Sequence, residues 1–261
     1  MNIKEVAETL ERFAPLPLQE SYDNAGLQIG LTAGEDVSGV LLCLDVTEEV
    51  IDEAERKGCN LIVAHHPLLF RPVKRITGQT LVERCVVRAI RKNIAIYAAH
   101  TNLDNAPGGV NFHIARKLGL EQVRFLLPLQ GREGGSGVIG VLPEAEDATA
   151  FLNRVANLFG VKALCRNEGP GRLVNRVALC GGAGEFLLDE AVKAGADVFL
   201  TGEMGYHRYF GYDDSILIGV MGHYESEQYT VELLDEILAK ELPQLKRVKS
   251  EIVTNPVRVN E

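Results

Sequence analysis

No apolar run in this 261-residue chain approaches the roughly 18 residues that a membrane span needs. Met1-Asn2-Ile3-Lys4-Glu5 lacks the basic-then-apolar order of a secretory signal and leads instead into an amphipathic helix. Cysteine is scarce as well. Cys43, Cys59, Cys85, Cys165 and Cys180 are odd in number and form no C-x-x-C pair, which argues against both a disulfide framework and a ribbon-type metal site. Most of them lie in apolar runs and read as reduced, buried thiols. Together these absences give the expectation of a cytoplasmic protein with no membrane partner. Positive charge is not in excess either: the formal net charge of −9 argues against a nucleic-acid coat, though not against a local basic patch.

What is present is ordinary for a globular domain. The chain is 46% hydrophobic and 24% charged, which excludes disorder, collagen and coiled coil as the main architecture. The length suits one large domain or two small ones. Apolar strand-like runs alternate with amphipathic helical stretches: helix 3–13, strand 40–44, helix 47–57, strand 61–64, helix 81–92, strand 94–98 and helix 111–118. After a glycine-rich loop over 131–137 come strand 138–141, helix 148–158, strand 177–180, helix 185–194, strands 198–200 and 216–220, and helix 228–240. This alternation predicts an α/β protein with mixed, mostly parallel sheets covered by helices.

The two halves are related. At a shift of 137 positions, Val40, Leu42, Cys43, Glu48, Asp52, Glu53, Ala54 and Gly58 meet identical residues from Val177 to Gly195. Leu61-Ile62-Val63 meets Val198-Phe199-Leu200, and at another shift Ile94…His100 meets Leu217…His223. Duplication into two α/β lobes, 1–125 and 126–261, follows. Ligands of parallel α/β sheets bind beyond the carboxyl ends of the strands, which says where to look.

Four of the six histidines stand at such ends. His65-His66 follows Leu-Ile-Val-Ala, and His100 and His223 follow the strands around 94–98 and 216–220. Two of them carry an acid four residues on, giving the units His100-Thr-Asn-Leu-Asp104 and His223-Tyr-Glu-Ser-Glu227. Imidazole and carboxylate together suit zinc, manganese, iron or nickel. Six donors (His65, His66, His100, Asp104, His223 and Glu227) exceed the needs of one tetrahedral ion and suffice for two divalent ions. Glu203 and His207 align near the His65-His66 position of the first half, as candidates to support the ligands or move protons in catalysis. Asp45 stands at a strand end near the proposed site and reads first as the cap of the helix at 47–57, a place Thr47 could also take, with proton transfer as its other reading; His113 reads as structural. The glycine turn 181–184 reads as a packing device, with anion binding by its N–H groups as the other reading.

Ala64-His65-His66-Pro67-Leu68-Leu69-Phe70, His100 to Asp104 with Gly108-Gly109-Val110-Asn111, and Gly222-His223-Tyr224-Glu225-Ser226-Glu227 resemble the signature blocks of the GTP cyclohydrolase 1 type 2 homolog family, also called NIF-three-like. Tyr22-Asp23-Asn24-Ala25-Gly26-Leu27, Cys180 to Gly184 and Ala196-Asp197 leading to Thr201-Gly202-Glu203 and His207 match as well, in order and over nearly the whole chain. The resemblance implies a dinuclear metal centre on the same six residues. It also implies two intertwined α/β lobes and a ring-shaped homohexamer, in the short form that lacks the domain some members insert between the lobes. The function expected is that of a metal-dependent hydrolase acting on a small molecule, a nucleotide or phosphorylated metabolite, the substrate class coming from the family name. The alternative is a metal-handling or regulatory binding protein without turnover.

Overall fold

The structure is a computed structural model, and residues 1–260 are described. In chain order the strands are β1 (Gly26–Ile29), β2 (Val40–Cys43), β3 (Leu61–Ala64), β4 (Ala95–Ala98), β5 (Glu121–Pro128), β6 (Gly135–Glu146), β7 (Cys165–Arg166), β8 (Val174–Cys180), β9 (Val198–Thr201), β10 (Leu217–Val220) and β11 (Arg247–Lys249). The helices are α1 (Ile3–Phe13), α2 (Glu48–Arg56), α3 (Leu81–Arg91), α4 (Thr101–Asp104), α5 (Val110–Lys117), α6 (Ala148–Phe159), α7 (Leu188–Lys193), α8 (His223–Glu227) and α9 (Thr230–Glu241). None of the described helices is long and apolar enough to cross a membrane.

Two compact units emerge. The first is Met1–Leu103 with Thr230–Pro256, and the second is Asp104–Tyr229 with Val257–Glu261. Division by contact therefore differs from the division at 125 and 126 suggested by internal similarity, because the chain returns to the first unit with α9 and β11. β11 completes a sheet that the first half leaves open.

In the first unit the strand order is β1-β4-β3-β2-β11. The pairings are parallel except that of β1 with β4. β2, β3 and β4 are buried at every position, as expected of strands covered on both faces. Ile51, Ala54, Cys85 and Ala89, from α2 and α3, pack with Leu41, Ile62 and Ile96 in one core. The helices start where their caps dictate: Asn2 and Glu5 form a capping box on α1, and Thr47 and Thr80 cap α2 and α3. Thr47, not Asp45, is thus the cap of α2, which releases Asp45 for another task.

In the second unit the order is β5-β6-β8-β9-β10-β7. Its parallel core, β8-β9-β10, is flanked by antiparallel strands. The stretch expected as a glycine loop up to residue 137 is largely a hairpin. Gly135 and Gly140 lie inside β6 because β5 passes too close for a side chain: a Cβ there would stand 2.6 Å from the Leu127 carbonyl oxygen and 2.9 Å from that of Glu121. Phe199, Ile216 and Ile218 pack with Leu187, Leu188 and Ala191.

The internal similarity survives in the pairing register. Val40 pairs with Leu61, and their equivalents Val177 and Val198 pair likewise. The third strands refine the alignment. Leu61 pairs with Ala95 and Val198 with Leu217, so Ala95 and Leu217 are equivalent. The second half therefore carries one more residue between strand and histidine. Gly222, with φ +101°, lies in that stretch in a conformation L side chains rarely adopt.

Candidate metal centre

Every candidate histidine follows a strand. In the first unit His65 and His66 follow β3, and His100 follows β4. Their ring nitrogens include atoms that lie within 4.8 Å of one another. The ring centroids are 4.9, 5.3 and 5.6 Å apart. His65 is fully buried, while His66 and His100 are half-buried.

In the second unit His223 opens α8 and Glu227 closes it, one helical turn on. His223 Nε2 and Glu227 Oε2 are 3.0 Å apart, two atoms that need a proton or a cation between them. Asp104, at the end of α4, offers a carboxylate oxygen within 4.8 Å of one from Glu227. Glu227 is buried, and the glycine turn 181–184 makes room for it. Gly182 has φ +59°, and a Cβ on it would stand 2.3 Å from Glu227 Oε1. The N–H groups of that turn already serve the protein: Gly181 donates to Asn111 Oδ1, Gly182 to Ser226 Oγ and Gly184 to Thr201 Oγ1. The turn is a packing device and presents none of these three N–H groups to an anion.

The tautomers decide what the histidines can do. His65 Nδ1 donates to the Ala99 carbonyl oxygen at 2.7 Å. His66 Nδ1 donates to Asp45 Oδ1, His100 Nδ1 to Asp23 Oδ1 and His223 Nδ1 to Glu203 Oε1, each at 2.7 Å. Carbonyl and ionised carboxylate oxygens only accept, so His65, His66 and His100, when neutral, keep the proton on Nδ1 and the lone pair on Nε2, whereas His223 has a carboxylate at each nitrogen and, with its proton on Nδ1, needs a cation between Nε2 and Glu227. This is the arrangement metal-ligating histidines use, with the remote nitrogen tied to a carbonyl or carboxylate that fixes the ring and raises its basicity.

The carboxylates come from the ends of neighbouring strands. Cys43 pairs with Ala64 and the His66 N–H donates to the Leu44 carbonyl, so register brings Asp45 level with His66. The antiparallel pairing of Gly26 with Ala98 brings Asp23 to the end of β4. Burial opposes ionisation of Asp23, whose side chain has no exposed surface, but hydrogen bonds from His100 and Thr101 outweigh it and hold the carboxyl at about 2. Asp45 is governed the same way: burial raises it, and the bond from His66 prevails and lowers it. Asp45, read from sequence as a cap, is a histidine-orienting group. So is Glu203, expected among the catalytic residues. His207 lies on an exposed turn with its ring against Tyr206 and Phe210, at centroid distances of 5.2 and 6.2 Å. His113 is buried and bonded to Arg116, as its structural reading requires.

Each unit thus carries its own set of donors with pre-oriented rings, which invites comparison with known proteins. The family model described as Duf34/NIF3 (NGG1p interacting factor 3) matches residues 1–256. The chain belongs to this family. A Clostridium acetobutylicum relative named GTP cyclohydrolase 1 type 2 homolog is 32% identical over 241 residues, covering 91% of this chain and 90% of its own length. Among solved structures, the Bacillus cereus protein related to NIF3 gives a TM-score of 0.88 at 26% identity, covering 100% of this chain and 99% of that one. A Staphylococcus aureus hypothetical protein gives 0.91 at 26% identity with the same coverage. The α/β fold with two mixed sheets is that of the NIF3 family.

Proposed function

We propose that this NIF3-family protein is a metal-dependent hydrolase acting on a nucleotide or other phosphorylated metabolite. In this reading His65, His66, His100, Asp104, His223 and Glu227 serve two divalent ions drawn from zinc, manganese, iron and nickel. The observation that carries it is the shared orientation of four strand-end histidines: each commits Nδ1 to a carbonyl or carboxylate oxygen and turns Nε2 the other way, in His223 towards Glu227 Oε2 at 3.0 Å. Six neutral or anionic donors without a thiolate suit borderline divalent cations. Two such ions, when bound, supply a lowered water pKa and polarisation of an electrophilic carbon or phosphorus.

The chain's own residues then have distinct tasks. Asp45, Asp23 and Glu203 hold their histidines in one orientation and tautomer. Gly182 admits the Glu227 carboxylate. His207 is assigned to proton transfer on sequence alone, its contacts being aromatic. The name GTP cyclohydrolase 1 type 2 homolog, borne by the Clostridium acetobutylicum relative, supports the nucleotide as substrate class. The cytoplasmic homohexamer that the sequence resemblance implies belongs to the same proposal, and native mass spectrometry reads its stoichiometry.

The deciding experiment joins metal content to turnover. Protein prepared without chelator should carry two equivalents of divalent metal, and Glu227→Gln should lower the occupancy of one ion more than the other. A nucleotide and phosphoester panel is then run with metal-loaded wild type and with the His65→Ala, His66→Ala double variant. Equal residual activity in both identifies a contaminant and leaves a metal-handling protein. A single equivalent held by His65, His66 and His100 alone removes the dinuclear assignment.

A further inference from the structure

The chain carries a net charge of −9, yet residues 71–92 hold seven cationic side chains and one acid, Glu83. These cations fall into two groups. Of the four on α3 and at its C-cap, all but Arg91 are neutralised: Arg84 pairs with Glu48, Arg88 with Glu48 and Asp52, and Lys92 with Asp52 and Glu55. Arg71, Lys74 and Arg75, on the exposed loop before α3, have no hydrogen-bond or ion-pair partner among the described residues.

That loop is held at both ends. The Leu69 N–H donates to Gln28 Oε1 at 3.0 Å, and the Leu69 carbonyl accepts from Asn24 Nδ2 at 2.7 Å. At the far end Glu83 Oε2 accepts from the Thr77 N–H and hydroxyl, each at 2.7 Å, and from the Gln79 N–H at 3.2 Å. Pro72 stiffens the span between. The loop also starts at the histidine set: the Phe70 ring stands edge-on to His100 at 5.9 Å, with the exposed Tyr22 ring 6.4 Å from Phe70. A short, anchored run of uncompensated cations beginning at an aromatic pair is matched to a ligand with a flat ring and a chain of phosphates.

We propose that residues 70–76 form the strap that reads a nucleoside polyphosphate, with Arg71, Lys74 and Arg75 gripping the phosphates and Phe70 with Tyr22 taking the base. Placing the base beside His100 rests on the metal-centre reading above. The phosphate grip does not, and the test keeps the two apart.

Binding of GTP, guanosine and inorganic triphosphate is measured by calorimetry on metal-loaded and chelator-treated protein, with metal content recorded for every sample. The triple variant Arg71→Ala, Lys74→Ala, Arg75→Ala should lose roughly 100-fold in affinity for GTP and triphosphate, since charge-assisted contacts to phosphate are among the strongest hydrogen bonds. Its guanosine affinity and metal content should match wild type. Phe70→Ala should weaken GTP and guanosine about tenfold, the size of a lost stacking contact, and spare triphosphate. Triphosphate binding that persists in protein devoid of metal sites upholds the strap while the metal reading fails. The strap is overturned if wild type binds neither anion, if the triple variant keeps GTP affinity, or if guanosine weakens in parallel. A single-stranded oligonucleotide that binds more tightly than GTP and depends on the same three residues overturns it too, in favour of a polynucleotide.

Discussion

Asp23→Asn separates a ligand-orienting carboxylate from a merely buried one. Asp23 accepts from His100 Nδ1 at 2.7 Å, from the Thr101 N–H at 3.1 Å and from the Thr101 hydroxyl, and its side chain has no exposed surface. Asparagine keeps the shape but replaces one acceptor oxygen with a donor. Turned one way, the new amide faces His100 Nδ1, disfavours the proton there and removes the tautomer that leaves Nε2 to ligate. Turned the other way, it leaves the Thr101 N–H and hydroxyl without an acceptor, at a cost of about 1–3 kcal/mol for a buried donor. The first branch weakens metal binding by roughly 10–100-fold, the usual effect of losing such a partner, which is about 1.4–2.7 kcal/mol. Competition against a fluorescent zinc chelator reads that shift, with metal content by elemental analysis. Thr101→Val is the control. It removes the hydroxyl that bonds Asp23 and that accepts from the Glu20 N–H at 2.9 Å, but leaves the His100 bond untouched. It should lower stability and keep metal affinity within about threefold, a change worth well under 1 kcal/mol. The reasoning is refuted if Asp23→Asn binds metal like wild type, or if Thr101→Val weakens it equally.

Other substitutions probe the rest. Gly182→Ala places a methyl 2.3 Å from Glu227 Oε1 on left-handed backbone, so it should displace that carboxylate, cost about 1–2 kcal/mol in backbone strain alone and lose metal at one position; full occupancy by elemental analysis would contradict the packing role. The Glu83 carboxyl is held down at about 2, first by hydrogen bonds from Thr77. Its folded pKa lies below the unfolded value near 4.5, so its contribution to stability is present above that pH and disappears as the pH falls towards 2. Denaturant titrations between pH 6 and 3 should show wild type losing stability relative to Glu83→Gln, and parallel curves would exclude the clamp. His207→Ala should lower turnover by roughly 10²–10⁴-fold at unchanged metal content if it moves protons. Glu203→Gln should lower metal affinity as well, because it holds His223; unchanged metal affinity would return Glu203 to a purely catalytic role.

The ligand candidates were legible in the sequence because they are local. An apolar run followed by histidine, or by histidine and an acid four residues on, announces a strand end and one helical turn. The buried strands and capped helices were legible for the same reason. Among the carboxylates that orient the rings, Glu203 was legible as a candidate to support the ligands, but Asp45 and Asp23 were not assignable to their histidines. Asp45 meets His66 only through the β2–β3 register, and Asp23 reaches His100 only because β1 runs antiparallel to β4. Asp45 also has the local look of a helix cap, a role that Thr47 takes. β11 and β5 escaped because a three-residue Arg-Val-Lys strand exists only against β2, and because the glycines of β6 resemble a loop until β5 lies on them.

The route of the chain has a consequence for synthesis. The second unit is built mainly from one continuous stretch, Asp104–Tyr229, and has those residues together as soon as the stretch is made. The first unit begins earlier but finishes later. β2 stays an open sheet edge until Arg247–Lys249 arrive, the Ser250 N–H bonds the Leu42 carbonyl and the Glu251 N–H bonds the buried Glu53. During translation the unit made first is therefore the one that closes last, and its apolar strand β2 is exposed to edge pairing meanwhile. A nascent chain stopped before residue 247 would resemble an aggregation-prone intermediate more than a shortened protein.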